Sequence, residues 1–154
     1  MIGLVQRVSN AAVVVDDETV GAIGRGVLLL LGVERGDTER EAERLLERVV
    51  GYRMFADGAG KMNRSLADVG GELLIVSQFT LPANTQKGMR PSFTHAAHPD
   101  LSRTLYDHFV MRANALQPAP VAKVATGKFG ERMAVSLCND GPVTFWLQVS
   151  PSAD

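Results

Sequence analysis

Two short stretches hold side chains that could do chemistry. Ser77-Gln78-Phe79-Thr80 places two hydroxyls and an amide directly after an apolar run, Leu73-Leu74-Ile75-Val76. Asn139-Asp140-Gly141-Pro142-Val143-Thr144 places a Gly-Pro step between two strand-like segments. Hydroxyls at the carboxyl end of a strand stand where α/β proteins commonly build active sites. The same residue types also satisfy backbone groups where a strand enters a loop. A hydrolytic serine needs a histidine base and an acid to orient it. The histidines are His95, His98 and His108, and no nucleophile-elbow pattern surrounds Ser77. Metal-ligand spacings of the His-x-x-x-His or Cys-x-x-Cys kind are absent, and Cys138 has no cysteine partner. Cys138 ends an alternating run, which suits a small buried hydrophobe. No glycine-rich loop cradles a nucleotide, because Gly60-Lys61 lacks the rest of a P-loop. An enzyme made of these residues is expected to work without metal or organic cofactor.

These stretches need a scaffold, and the pattern supplies an α/β one. Ile2 to Val8 and Ala11 to Val15 read as strands. The turn at Asp16-Asp17-Glu18 and a return strand at Thr19 to Ile23 make an N-terminal hairpin. Val27-Leu28-Leu29-Leu30-Leu31 is apolar at every position, as expected of a strand covered on both faces, and Leu73 to Val76 is a second such strand. Thr38 and Glu41 form a capping box that opens a helix running to about Phe55. A second helix spans about Pro99 to Leu116, with Leu101, Leu105, Phe109 and Ala113 on one face. A polar loop from Pro82 to Pro99 separates it from the Ser77 stretch; loops this long in compact domains are usually functional. Val121 to Thr126 is a strand. Met133 to Cys138 and Val143 to Val149 then form a C-terminal hairpin about the Asn-Asp-Gly-Pro turn. The expectation is one α/β domain over residues 1–150, with a mixed sheet, hairpins at both ends, two main helices and a short tail at 151–154.

Composition bounds the partners. With 154 residues, 45% hydrophobic, 21% charged and a net charge of -1, the chain reads as an ordinary globular protein. No bulk field attracts a polyanion, so a nucleic acid would have to be held by local basic groups. Lys61, Arg64, Lys87, Arg90, Lys123 and Lys128 lie in loops or strand edges and are the candidates. The longest apolar run is too short to span a bilayer. One cysteine suits a reducing compartment, and the start has no leader pattern, so a soluble cytoplasmic protein is expected.

Taken together, Ser77-Gln78-Phe79-Thr80-Leu81 and Asn139-Asp140-Gly141-Pro142-Val143-Thr144-Phe145 resemble the two signature motifs of the D-aminoacyl-tRNA deacylases, in their bacterial form. The resemblance extends to Val5-Gln6-Arg7-Val8, Leu31-Gly32-Val33-Glu34, Gly60-Lys61-Met62-Asn63, Gly88-Met89-Arg90-Pro91-Ser92-Phe93 and Trp146-Leu147-Gln148-Val149, in order along the chain. A departure lies in Gln117 to Val124, which is longer than the family pattern and leaves the path of that connection open.

The resemblance implies a cytosolic homodimer that hydrolyses the ester between a D-amino acid and the terminal ribose of tRNA. It implies a pocket around Ser77, Gln78, Phe79 and Thr80. It also implies a cis Gly141-Pro142 peptide, reaching from the other subunit, whose carbonyls exclude L-amino acids. Activity towards glycine mischarged on tRNA(Ala) is a further expectation. Backbone groups suit this task, since an enzyme that accepts many side chains must test only the atoms they share, and Gly141 brings no Cβ. An aminoacyl ester is already activated, so positioned water with backbone N–H groups facing the oxyanion can suffice. Water attack is preferred here over attack by Thr80, with Ser77 and Thr80 as positioning groups, because no base stands beside either hydroxyl. Arg7 is a candidate support for the Gly-Pro segment. The rival reading is a non-catalytic tRNA-binding or editing-accessory module that uses the same pocket.

Overall fold

The computed structural model describes residues 1–152. Its elements are β1 (Ile2–Val15), β2 (Glu18–Ile23), β3 (Gly26–Gly32), α1 (Glu39–Gly51), β4 (Phe55–Ala56), β5 (Met62–Arg64), α2 (Leu66–Val69), β6 (Glu72–Ser77), α3 (Pro99–Asn114), β7 (Lys123–Thr126) and β8 (Ala134–Gln148). A six-stranded mixed sheet runs in the order β2-β1-β3-β6-β7, with β8 on the other edge of β1. β3, β6 and β7 are parallel; the pairs made by β1 are antiparallel. The sheet curls until its ends approach, and Lys123 of β7 donates its ammonium to the carbonyl of Ala22 in β2 at 2.7 Å.

Both faces of the centre are buried, which explains the unbroken apolar runs. Val5, Leu29, Leu31, Leu73 and Ile75 pack under Leu45 and Val49 of α1 and Leu105 and Phe109 of α3. Leu28, Leu74 and Val76 face the other way, into the curl of the sheet, against Val8, Val13 and Ile23. The expected single α/β domain with a mixed sheet is what the chain forms. α1 opens on the Thr38/Glu41 capping box. It stops at Gly51, short of the expected Phe55, because Tyr52 turns extended and Met54 and Phe55 enter the core as a strand begins.

Three expectations change. The N-terminal strand is one 14-residue β1, not two: its first half pairs with β3 and its second with β2. The C-terminal hairpin is absent. β8 is a single strand whose two halves both pair with β1, and Asp140 to Val143 loop out where the register slips opposite Arg7. The segment bulges because each half already has a partner, while Pro142 has no N–H to give. Cys138 is exposed rather than buried, since β8 lies at an edge with little packed over this part. A one-turn helix, α2, and the small β4–β5 hairpin were not anticipated. Ser65 and Asp68 cap α2 reciprocally, a signal visible in the sequence.

The Gln117 to Val124 connection turns back on itself. Val121 is buried, and the Gln117 side-chain carbonyl accepts from the N–H of Val124 at 3.0 Å. The peptides before Pro118, Pro120 and Pro142 are cis. No helix among the described residues is long and apolar enough to cross a membrane.

Candidate active site

The Ser77 stretch hangs from a strand, β6, whose four central residues are all buried. The N–H of Gln78 donates to Leu31 at 2.8 Å, adding one rung to the β3–β6 ladder, and the chain then turns, with Leu81 N–H on Gln78 at 3.3 Å. The turn folds over the end of β3, where Gly32 makes room: a Cβ there would lie 2.9 Å from Cβ of Leu81 and 3.3 Å from the Gln78 carbonyl. Gln78 donates its amide to the Thr80 hydroxyl at 2.7 Å. Phe79, half exposed, stacks at a tilt on Phe93 of the long loop, with ring centroids 4.9 Å apart.

Ser77, Gln78 and Phe79 edge an open cleft of about 470 Å³ whose far wall is Ser102, Tyr106 and Phe129. Tyr106 donates its hydroxyl to the Ile75 carbonyl at 3.1 Å. Burial pushes that hydroxyl up to about 12, so it remains a neutral donor at physiological pH. Phe129 packs against Tyr106, and the Arg103 guanidinium lies over the Phe129 ring, 5.2 Å from its centroid.

None of the three histidines is bonded to either hydroxyl. His108 of α3 faces Glu43 and Glu39 of α1 at 3.2 and 3.6 Å. His98 caps α3, and the carbonyl of His95 accepts from the N–H of Arg35. Thr80 therefore has an amide neighbour where a nucleophile would need a base.

The Gly-Pro segment is built differently. Arg7 donates Nε to the Asp140 carbonyl at 3.0 Å and Nη1 to the Met54 carbonyl at 2.8 Å, with the Asp140 carboxylate 3.5 Å away. Asn139 accepts from the N–H of Val143 at 3.0 Å and donates to the Thr144 hydroxyl at 2.9 Å. Gly141 has φ +140, where an L side chain is strained, and a Cβ would stand 2.6 Å from Val143 Cγ2. Gly141 and Pro142 are exposed.

Within one chain the two stretches are apart. Ser77 is level with Leu31 and hence with Gly3, whereas Arg7 and the bulge are level with Val27. Four residues along β1 separate them, about 13 Å of strand. Of the six basic candidates, Lys123 is tied to Ala22, and Arg64 donates to the Asp68 carbonyl at 2.8 Å. Lys61, Lys87, Arg90 and Lys128 are exposed. Tyr106 and Phe129 were not singled out from sequence, and Asn139 only as part of its stretch. Tyr106 sits beside Leu105 on the buried face of its helix, which was the available signal.

A curled mixed sheet with an open cleft at the end of a parallel strand pair, and an exposed Gly-Pro bulge elsewhere on the same sheet, defines a narrow class of small α/β protein. The sequence profile described as D-Tyr-tRNA(Tyr) deacylase matches residues 4–148. The chain is 64% identical to a D-aminoacyl-tRNA deacylase of Thioalkalivibrio sulfidiphilus, over 98% of this chain and 99% of that one. It is 60% identical to a D-aminoacyl-tRNA deacylase of Hahella chejuensis, over 97% and 99% respectively. Among solved structures it resembles the c-Myc DNA Unwinding Element Binding Protein, with TM-score 0.90, 38% identity and coverage of 99% of this chain and 100% of that one. The chain belongs to the D-Tyr-tRNA(Tyr) deacylase family.

Proposed function

We propose that this protein is an esterase that hydrolyses D-aminoacyl-tRNA, releasing the D-amino acid and free tRNA. The observation that carries the reading is near full-length identity of 64% and 60% to relatives named for that activity. Ser77, Gln78 and Phe79 form the pocket in this reading, with Thr80 held beside it by Gln78, and water attacks the ester while the Gln78–Thr80 pair and nearby backbone N–H groups orient it. Gly141 and Pro142 are the chiral filter, testing the substrate with backbone carbonyls, and Arg7 holds their segment in place. A glycyl group on tRNA(Ala) has no side chain for such a wall to reject and is expected to be cleared too.

The working unit in this reading is a homodimer in the cytoplasm. The separation of the two stretches within one chain supports it, because only a second copy could bring a Gly-Pro bulge to the cleft. An apolar patch supports it as well. Leu4, Leu30 and Trp146 lie side by side across three strands on the face away from the helices, and Trp146 is half exposed.

Purified protein incubated with D-tyrosyl-tRNA and L-tyrosyl-tRNA tests the activity. Many turnovers on the D ester with the L ester spared is the expected result. Retention of the D ester without release would support the non-catalytic binding module instead.

A further inference from the structure

The loop between Leu81 and α3 has a braced neck and an unbraced tip. At the neck, Asn84 and Ser92 exchange backbone hydrogen bonds at 2.7 and 3.1 Å, and the Asn84 side chain accepts from the N–H of Gln86 at 3.0 Å. Immediately beyond the neck, Phe93 stacks on Phe79 at the rim of the cleft. At the tip, Gly88 turns the chain with φ +72. Met89 is 101% exposed there, the most exposed large apolar side chain among the described residues. Lys87 and Arg90 flank it, and neither makes a hydrogen bond or ion pair among the described residues. A bare thioether between two unpaired cations gives the fold no packing. It suits a ligand with flat apolar faces joined by a chain of negative charges.

Resting on the deacylase reading above, we propose that Lys87-Gly88-Met89-Arg90 grips the single-stranded 3′ end of the tRNA, with Met89 against a base and the two cations on flanking phosphates. The terminal ribose must enter the cleft, so the preceding nucleotides must leave across its rim, where the neck stands. The tip projects three or four residues past the Asn84–Ser92 pair, at most about 10–14 Å. That reach covers the nucleotides next to the terminal adenosine and not the body of the tRNA. Proteins hold unpaired nucleotides without reading their sequence by contacts to the base faces and by cations on the backbone, and a polarizable thioether can supply the first of these.

The test compares D-tyrosyl-tRNA with D-tyrosyl-adenosine, which has the ester and terminal nucleoside but nothing for the tip to hold. Met89→Ser should lower kcat/KM on the tRNA substrate about 2- to 13-fold through KM, the range a thioether–aromatic contact is worth. It should leave D-tyrosyl-adenosine hydrolysis unchanged, and Met89→Leu should restore most of the loss. In the Lys87→Ala/Arg90→Ala variant, log affinity for uncharged tRNA should depend on log salt less steeply by about 1.4, from about 0.7 per phosphate contact on a single strand. Equal losses on both substrates, no loss on tRNA, or variants that sediment as a different oligomer from the wild type would each overturn the assignment. If the wild type hydrolyses neither substrate while the tip variants still lose tRNA affinity, the deacylase reading falls and the tip assignment stands.

Discussion

The Ser77 to Thr80 turn and the Asn139 to Thr144 bulge are both polar interruptions on the run of a strand, yet different forces hold them. The first inherits its position from the core: Leu73 to Val76 are buried, a ladder bond ties Gln78 to Leu31, and the turn packs over Gly32. The second is exposed from Asp140 to Pro142, reaches the core only through Val143, and is otherwise held by two polar clamps, Arg7 and Asn139. Packing fixes the pocket together with the fold, so damage to one is damage to both. The bulge can be disturbed by one side chain while the sheet stays whole.

That contrast is open to breaking at each side. Ile75→Ala removes a fully buried side chain beneath the pocket and should cost about 2–5 kcal/mol of stability in a denaturant titration, with activity falling as the protein unfolds. Arg7→Ala leaves the Asp140 and Met54 carbonyls without their donor. It should cost about 1–3 kcal/mol of stability. Activity should drop on the order of 10²-fold, as expected when the bound substrate is misplaced by about 1 Å. A loss of stability with full activity would show that the bulge needs no clamp. Gly141→Ala should reduce activity comparably, since its Cβ meets Val143 at 2.6 Å in a backbone conformation an L residue disfavours.

Smaller effects sharpen the contrast with a control that belongs to neither region. Thr38→Ala removes the cap of α1 and should cost about 1 kcal/mol, without changing the ratio of D to L hydrolysis. The Thr38 hydroxyl is the main reason the Glu41 carboxyl lies below its ordinary 4.5. A carboxyl depressed in the folded state adds stability above its unfolded value and loses it as pH falls through the folded one. The deficit of Thr38→Ala should therefore be full near neutrality and shrink in acid, which pH-dependent denaturation would reveal.

Elements set by local pattern were legible in the sequence. The all-apolar runs of β3 and β6 announced strands covered on both sides, and the Thr38/Glu41 box fixed the start of α1. Both polar stretches were also legible as places to look. What pairing decides was not. Asn-Asp-Gly-Pro is compatible with a hairpin turn or a bulge, and only the presence of β1 alongside both halves of β8 selects the bulge. The distance between the two stretches is likewise a property of register, and so is the meeting of Arg7 with Asp140, which lie 133 positions apart. Cys138 was misplaced for the same reason, because alternation along a strand does not say which face will be covered.

Mixing two inactive variants tests whether the site is shared between copies. Gln78→Ala/Thr80→Ala disables the pocket and Gly141→Ala disables the bulge. If each cleft is completed by the partner's Gly-Pro segment, a mixed dimer carries one site with both parts intact. After random exchange of equal amounts, half the dimers are mixed and one site in two works in each, so about a quarter of wild-type activity should return. Activity that stays at the level of the separate variants, in a sample shown to contain mixed dimers, would contradict a site built across two subunits.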